Sequence, residues 1–268
     1  MRFTKMQGLG NDYIFVDATK KIPEHPEKLA VRLSDRHFGI GADGLVLILK
    51  SDAADFRMQM FNSDGSEGKM CGNAARCIGK YVYERGLTRK TALTLETASG
   101  IKKLFLNLCG DRVDRVSVDM GEPQCDGVFR SITVNGNSYS YLFVDMGNPH
   151  CVIFKDPHTF DWHAAGKAIE NDPVFQDKTN VEFVRVLSDN MLEMRVWERG
   201  SGETLACGTG ACAAAVAAVR AGWCDPATSV MVLLSHGALQ IRVDRTVVMT
   251  GPAETVFDGE INETLWQD

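Results

Sequence analysis

Several absences bound the chain before any motif is considered. No long run of Lys or Arg occurs in its 268 residues, and the formal net charge is −6. Both argue against nucleic acid or an anionic membrane surface as partner. No stretch of 18 apolar residues is present, so no transmembrane helix is expected. The first residues, Met1-Arg2-Phe3-Thr4-Lys5-Met6-Gln7, hold no apolar signal region, and a cytoplasmic location is expected. Eight cysteines are too few for a disulfide scaffold, and in a reducing compartment they stay free thiols. None are spaced as C-x-x-C and no histidines as H-x-x-x-H, so no metal is expected. No G-x-x-x-x-G-K-[ST] loop occurs. Gly39-Ile40-Gly41-Ala42-Asp43-Gly44 matches G-x-G-x-x-G, but it runs into Leu45-Val46-Leu47-Ile48-Leu49, a strand pattern. A dinucleotide fingerprint must open a helix there, so no cofactor is expected. What remains is an ordinary globular composition, 44% hydrophobic and 24% charged, on a chain long enough for one large domain or two ordinary ones.

Strand patterns are read at Tyr13–Asp17, Leu45–Leu49 and Phe56–Phe61, the last by strict alternation. Further strands are expected at Thr91–Thr97, Ile101–Leu108, Val113–Val118 and Met191–Trp197. Helices are expected at Asn73–Arg85, stopped by Gly86, at Asp161–Glu170, and at the Ala-rich Thr209–Ala221, closed by Gly222.

Two of these helices begin at a Cys-Gly pair. They are Cys71-Gly72-Asn73 and Cys207-Gly208-Thr209. A helix start presents unpaired N–H groups and a partial positive charge. It binds anions and lowers a thiol's pKa. A lone cysteine is most often a small buried hydrophobe, and Cys77 and Cys212 are read that way. For Cys71 and Cys207 a weak internal repeat reverses the odds. Gly10-Asn11-Asp12-Tyr13-Ile14-Phe15 resembles Gly147-Asn148-Pro149-His150-Cys151-Val152. Asn11 lies 60 residues before Cys71 and Asn148 lies 59 before Cys207. Asn62 and Glu198 each lie nine before their cysteine, and Glu67 and Glu203 each lie four before. Four coincidences in one register indicate two related halves, 1–117 and 118–268, with the site in the cleft between them. The last strand is a candidate to return to the first half.

Asn73 and Thr209 read as helix N-caps, and Gly72 and Gly208 would let a carboxylate approach the backbone. Glu198 and Arg199 sit where a strand enters a Gly-rich loop, as a solvated ion pair or as a carboxylate-recognition pair. Asn11, Asn62, Asn148 and Asn180 lie in turn-like sequence; only the repeat makes them candidate amide ligands. His150 could be a satisfied loop histidine or could tune a neighbouring thiol.

Gly8-Leu9-Gly10-Asn11-Asp12-Tyr13, Arg36-His37-Phe38-Gly39-Ile40-Gly41, Phe61-Asn62-Ser63-Asp64-Gly65-Ser66, Gly147-Asn148-Pro149-His150 and Glu198-Arg199-Gly200, together with the two Cys-Gly motifs, resemble the diaminopimelate epimerases. The resemblance runs the length of the chain. It implies an α/β fold of the α+β type, with two pseudo-symmetric halves, each a curved, mostly antiparallel sheet around a central helix. It implies cofactor-independent conversion of LL-diaminopimelate to the meso isomer, in lysine and peptidoglycan precursor biosynthesis, by a homodimer. It implies Cys71 and Cys207 as the acid–base pair. Asn62, Asn148, Asn180 and Arg199 would hold the distal end of the substrate. Gly72-Asn73 and Gly208-Thr209 would hold the reacting carboxylate, with Asn11, Glu198 and His150 around the site. Gly44 departs from the Gln carried by some family members. The proline racemases share the two-thiol logic, but have His where this chain has Asn73. The non-enzyme alternative is a thiol-rich metal-binding or redox-sensing protein.

Overall fold

A computed structural model describes residues 1–262 of the chain. The elements in chain order are β1 (Arg2–Gly8), β2 (Asn11–Asp17), α1 (Pro26–Ser34), β3 (Gly44–Leu49), β4 (Phe56–Asn62), β5 (Glu67–Gly68), α2 (Gly72–Glu84), β6 (Ala92–Thr97), β7 (Gly100–Cys109) and β8 (Arg112–Gly121). Then follow β9 (Arg130–Val134), β10 (Asn137–Asp145), β11 (Pro149–Phe154), α3 (Trp162–Glu170), β12 (Asn180–Ser188), β13 (Met191–Glu198), β14 (Gly202–Glu203), α4 (Gly208–Arg220), β15 (Val230–Leu234), β16 (Gly237–Val243), β17 (Val247–Gly251) and β18 (Glu254–Glu260). The chain forms two compact units, one of Met1–Val118 with the described residues from Gly251 onward, the other of Asp119–Thr250.

Each unit is built on the same mixed sheet. In the first, the strand order is β18-β1-β2-β3-β4-β6-β7-β8, with β5 paired to β4. In the second it is β9-β10-β11-β12-β13-β15-β16-β17, with β14 paired to β13. Along both orders the joints run antiparallel, antiparallel, parallel, antiparallel, parallel, antiparallel, antiparallel. Each parallel joint carries a helix in its crossover, as parallel strands require. These are α1 and α2 in the first unit and α3 and α4 in the second. The strand that begins the first unit's order, β18, comes from beyond the second unit in sequence. It pairs with β1 over Arg2–Gln7.

Side-chain alternation gives each sheet two apolar faces. On one face of the first, Ile14, Val16, Leu45, Leu47 and Phe61 pack against Ala30 and Leu33 of α1. On one face of the second, Cys151, Ile153, Val181 and Phe183 pack against Trp162, Ala165 and Ile169 of α3. The other faces receive the central helices. α4 touches β10, β11, β12, β13, β15 and β16, so the sheet wraps it. Ten of its thirteen residues are buried, which explains its alanine run: a helix enclosed on all sides has no polar face to show. In α2, Gly79 serves the same close packing. A Cβ there would lie 2.9 Å from Leu106 Cδ2.

Most strand and helix readings coincide with observed elements, within a residue or two at their ends. The helix α1 was not anticipated. Its N-cap, His25, has left-handed backbone and no side-chain cap bond, so the usual polar start signal is absent. Gly44 opens β3, not a helix, consistent with rejecting a dinucleotide loop.

Candidate active site

In the first unit the half-site assembles where β2, the Gly39–Asp43 loop and the start of α2 meet. Cys71 itself is the N-cap of α2, and its sulphur accepts from Ala74 N at 3.5 Å. The expectation that Asn73 would cap is corrected: the helix begins one residue earlier, and the thiol takes the acceptor role that Asn would have played. The Cys71 thiol donates to Asn11 Oδ1 at 3.3 Å, which also accepts from Asn73 Nδ2 at 3.2 Å. Asn11 is oriented from behind, its Nδ2 donating to Asp43 Oδ2 at 2.8 Å. Arg36 holds Asp43 at 2.9 Å and Asp12 at 3.1 Å, and Lys5 holds Asp12 at 2.8 Å. Tyr13, buried, hydrogen-bonds the Cys71 sulphur.

In the second unit Cys207 is likewise the N-cap, of α4, accepting from Gly210 N at 3.4 Å. Thr209 is therefore not the cap; its hydroxyl lies 3.5 Å from the Cys207 sulphur. Asn148 Nδ2 donates to that hydroxyl at 3.4 Å. Behind it, His150 Nε2 lies 3.1 Å from Asn148 Oδ1 and His150 Nδ1 lies 2.7 Å from Glu182 Oε1. Glu198 accepts from Thr204 and hydrogen-bonds Cys207. The reading of Glu198 and Arg199 as a surface ion pair is corrected, because Glu198 is turned inward onto the thiol.

The two half-sites occupy equivalent places. Tyr13 pairs in register with Gly44 and Gly44 with Asn62. His150 pairs with Asn180, and the step before the Val181–Trp197 pair carries Asn180 beside Glu198. Asn11 thus answers to Asn148, Tyr13 to His150, Gly44 to Asn180 and Asn62 to Glu198. The turns before Asn11 and Asn148 both use glycine at positive φ, Gly10 at 88° and Gly147 at 92°. On the helices, Arg76 stands where α4 has Cys212. Arg76 is fully buried and donates from Nε to Pro252 O at 3.0 Å.

Sequence reasoning expected the helix start to lower both thiols. Burial instead raises each. At Cys71 burial is opposed by the Ala74 and Asn73 N–H groups, the Tyr13 hydroxyl and the Arg76 charge. At Cys207 burial is reinforced by Glu198 and Glu182, and opposed by the Thr209 hydroxyl and Gly210 N–H, leaving that thiol well above its ordinary value. Burial also raises the Glu198 carboxyl, against the hydrogen bonds from Thr204 and Cys207.

Other expected site residues lie at the rim or are engaged in holding the scaffold. Asn62 donates from Nδ2 to Ser66 Oγ at 3.0 Å. Asn180 spends its amide on two backbone groups, donating to Pro149 O at 2.9 Å and accepting from Arg199 N at 3.0 Å. The exposed Arg199 donates from Nη1 to Asp177 O at 3.0 Å. Gly72 and Gly208 are the first helical residues of α2 and α4, next to the thiols. Cys77 and Cys212 are core. Gly44 has its own explanation: a Cβ there would come within 2.1 Å of Phe61 O, so no side chain fits this backbone. Tyr13, Asp43, Arg76 and Glu182 escaped sequence reasoning. The Gly10–Phe15 repeat did carry a signal for Tyr13, since it aligns that residue with His150.

The family model described as diaminopimelate epimerase matches residues 3–125 and 142–256. A diaminopimelate epimerase from Methanococcus maripaludis strain C6 is 49% identical, across 98% of this chain and 100% of that protein. One from Phocaeicola vulgatus is 51% identical, across 97% of this chain and 98% of that protein. Among solved structures, a probable proline racemase from Agrobacterium radiobacter K84, with bound carbonate, superposes with a TM-score of 0.75 at 14% identity, covering 99% of this chain and 94% of that one. A hydroxyproline epimerase from Agrobacterium vitis gives 0.71 at 16% identity, covering 97% and 90%. At those identities the likeness is one of fold.

Proposed function

This chain belongs to the diaminopimelate epimerase family, and from that premise we propose that it inverts one α-carbon of LL-diaminopimelate to give the meso isomer, using Cys71 and Cys207 as base and acid without a cofactor. It is an amino-acid epimerase, an isomerase. The observation that carries the mechanism is the thiol at the N-cap of each central helix, set among polar side chains at equivalent places in the two units.

One sulphur, as thiolate, takes the α-proton; the electron pair left on carbon delocalises into the carboxylate as an enolate-like anion. The other sulphur, as thiol, delivers its proton to the opposite face. The two then stand with protonation exchanged, the form that acts on the meso isomer; proton exchange with solvent after the product leaves restores the starting form. The N–H groups of Gly72-Asn73 and Gly208-Thr209 bind the reacting carboxylate and stabilise the charge that develops on it. Burial raises both thiols, and Cys71 is the more readily ionised of the two, because Tyr13 and Arg76 stabilise a negative sulphur there while Glu198 and Glu182 oppose one at Cys207. The thiols titrate as a pair, not as independent groups. Asn62, Asn148, Asn180 and Arg199 hold the distal amino-acid end, with Asn11, His150 and Glu198 supporting the thiols. Asn180 does so by fixing the Arg199 backbone.

The product would serve lysine and peptidoglycan precursor synthesis in the cytoplasm, with the enzyme as a homodimer. No helix among the described residues is long and apolar enough to cross a membrane. The test is incubation with LL-diaminopimelate in D₂O without added cofactor. Deuterium entry at one α-carbon with formation of the meso isomer is expected; an inert substrate refutes the assignment.

A further inference from the structure

Glu182 is a fully buried carboxylate in a row of apolar residues. Its cross-strand neighbours are Val152 on β11 and Val196 on β13, both buried. The equivalent row of the first unit is Phe15, Val46 and Met60, apolar throughout. The fold therefore accepts an aliphatic residue where Glu182 stands. Burying a carboxylate is costly, and the cost is not recovered by full hydrogen bonding: Glu182 Oε2 has no partner among the described residues. A residue that the fold does not need, held against its own solvation, is a candidate for function.

Its other oxygen begins a relay that ends on a thiol. Glu182 Oε1 lies 2.7 Å from His150 Nδ1. His150 Nε2 lies 3.1 Å from Asn148 Oδ1. Asn148 Nδ2 donates to Thr209 Oγ1 at 3.4 Å, and Thr209 Oγ1 lies 3.5 Å from Cys207 Sγ. Both ring nitrogens of His150 face oxygen acceptors, an arrangement that a doubly protonated ring satisfies. With Asn148 Oδ1 held by that ring, the amide must turn its N–H to Thr209. The threonine oxygen is then an acceptor, and its own proton is left for the sulphur. Were Nε2 bare, the amide would turn over and its oxygen would take the hydroxyl proton away from Cys207. The other ionisable groups facing Glu182 are Cys151 on β11, Glu198 on β13 and Cys207 on α4.

We propose that Glu182 is a positioning residue for Cys207: through His150 and Asn148 it fixes the Thr209 hydroxyl as a donor to the Cys207 sulphur. This rests on the two-thiol reading of the site and adds to it a residue that acts from three side chains away.

The test is the imidazole ¹⁵N spectrum of the full-length protein labelled at histidine, with His150 identified by its loss in His150→Gln. Both His150 nitrogens are expected as protonated signals, and Glu182→Gln leaves one of them bare. The same variant loses about tenfold or more in kcat/KM, as removal of support for an acid–base group does, while its unfolding midpoint is retained. Glu182→Val, which copies Val46, gives the same loss in a folded protein. A wild-type His150 with one bare nitrogen overturns the proposal, and so does wild-type kcat/KM in Glu182→Val. The spectrum needs no substrate. A wild type inert toward LL-diaminopimelate would therefore overturn the substrate assignment and leave the His150 signals to decide this one.

Discussion

Around Cys71 the neighbours that govern its charge are a phenol, a buried guanidinium and two helix N–H groups. Around Cys207 they are two carboxylates, with a hydroxyl and one helix N–H against them. Both thiols cap a central helix, and the two helices lie in equivalent crossovers between parallel strands, α2 between β4 and β6 and α4 between β13 and β15. The backbone is thus common, and the difference is carried by side chains at four equivalent places: Tyr13 against His150, Val46 against Glu182, Asn62 against Glu198, Arg76 against Cys212. On the proposed two-thiol reaction, a repeated scaffold supplies two places for a proton carrier, and the side chains that differ between them set how readily each gives up its proton. An acid and a base made of the same chemical group can differ in state only through such surroundings.

The comparison breaks most severely if either thiol is dispensable. Cys71→Ala and Cys207→Ala should each lower kcat for epimerisation by about 10³-fold or more, the upper range for general acid–base groups. Either variant turning over near the wild-type rate refutes a two-base reaction. Each single variant is expected to exchange the α-proton of only one isomer with D₂O, which measures the division of labour directly.

Next in size is Glu198→Gln. It removes the carboxylate that raises the Cys207 thiol, so that thiol loses its proton more readily. The alkaline limb of the kcat/KM profile should move to lower pH, with a fall of roughly 10²-fold at mildly alkaline pH. A limb that stays in place means Glu198 does not govern Cys207. The first unit gives the opposite sign. Tyr13→Phe removes a donor that lowers the Cys71 thiol, so a higher pH is needed to form its thiolate. The acid limb should move upward, with a loss of about tenfold at neutral pH, the equivalent of one hydrogen bond to a charged group. Movement of the alkaline limb in its place would reverse the assignment of roles.

The smallest expected effect concerns Gly44, where the first unit has no side chain and the second has Asn180. Gly44→Ala puts a methyl against Phe61 O, a backbone atom that cannot swing aside. It should lower stability by about 1–3 kcal/mol, as overpacking does, read as a fall in the denaturant midpoint at unchanged slope. Full stability would mean that β3 and β4 separate easily at this position.

Much of this was legible in the sequence. The repeat of Asn11 on Asn148 and of Cys71 on Cys207 picks out two clusters that the structure places at equivalent positions in the two units, because spacing survives where residue identity does not. Three things were hidden for separate physical reasons. α1 lacks a polar cap, so its start is invisible to propensity. Glu182 sits in a strand whose inward face is defined only once Val152 and Val196 flank it. The net elevation of both thiols follows from burial outweighing the helix-start N–H groups, a balance that local sequence does not contain. Asn180 was picked out by its position, yet its amide ties Pro149 to Arg199, so its influence on any ligand is indirect.

The first unit takes its β18 strand from residues 254–260, and the buried Arg76 beside Cys71 leans on the carbonyl of Pro252. On the ribosome this inverts the usual order of completion. Everything the second unit needs has been synthesised before β18 exists, whereas the first unit, made earlier, waits with an open edge beside β1. Nascent chains normally fold N-terminal parts first at about 5–20 residues per second of synthesis. Here the half carrying Cys71 closes last, so a chain arrested before residue 254 would present a finished Cys207 half and an unfinished partner, exposed to capture by another sheet edge.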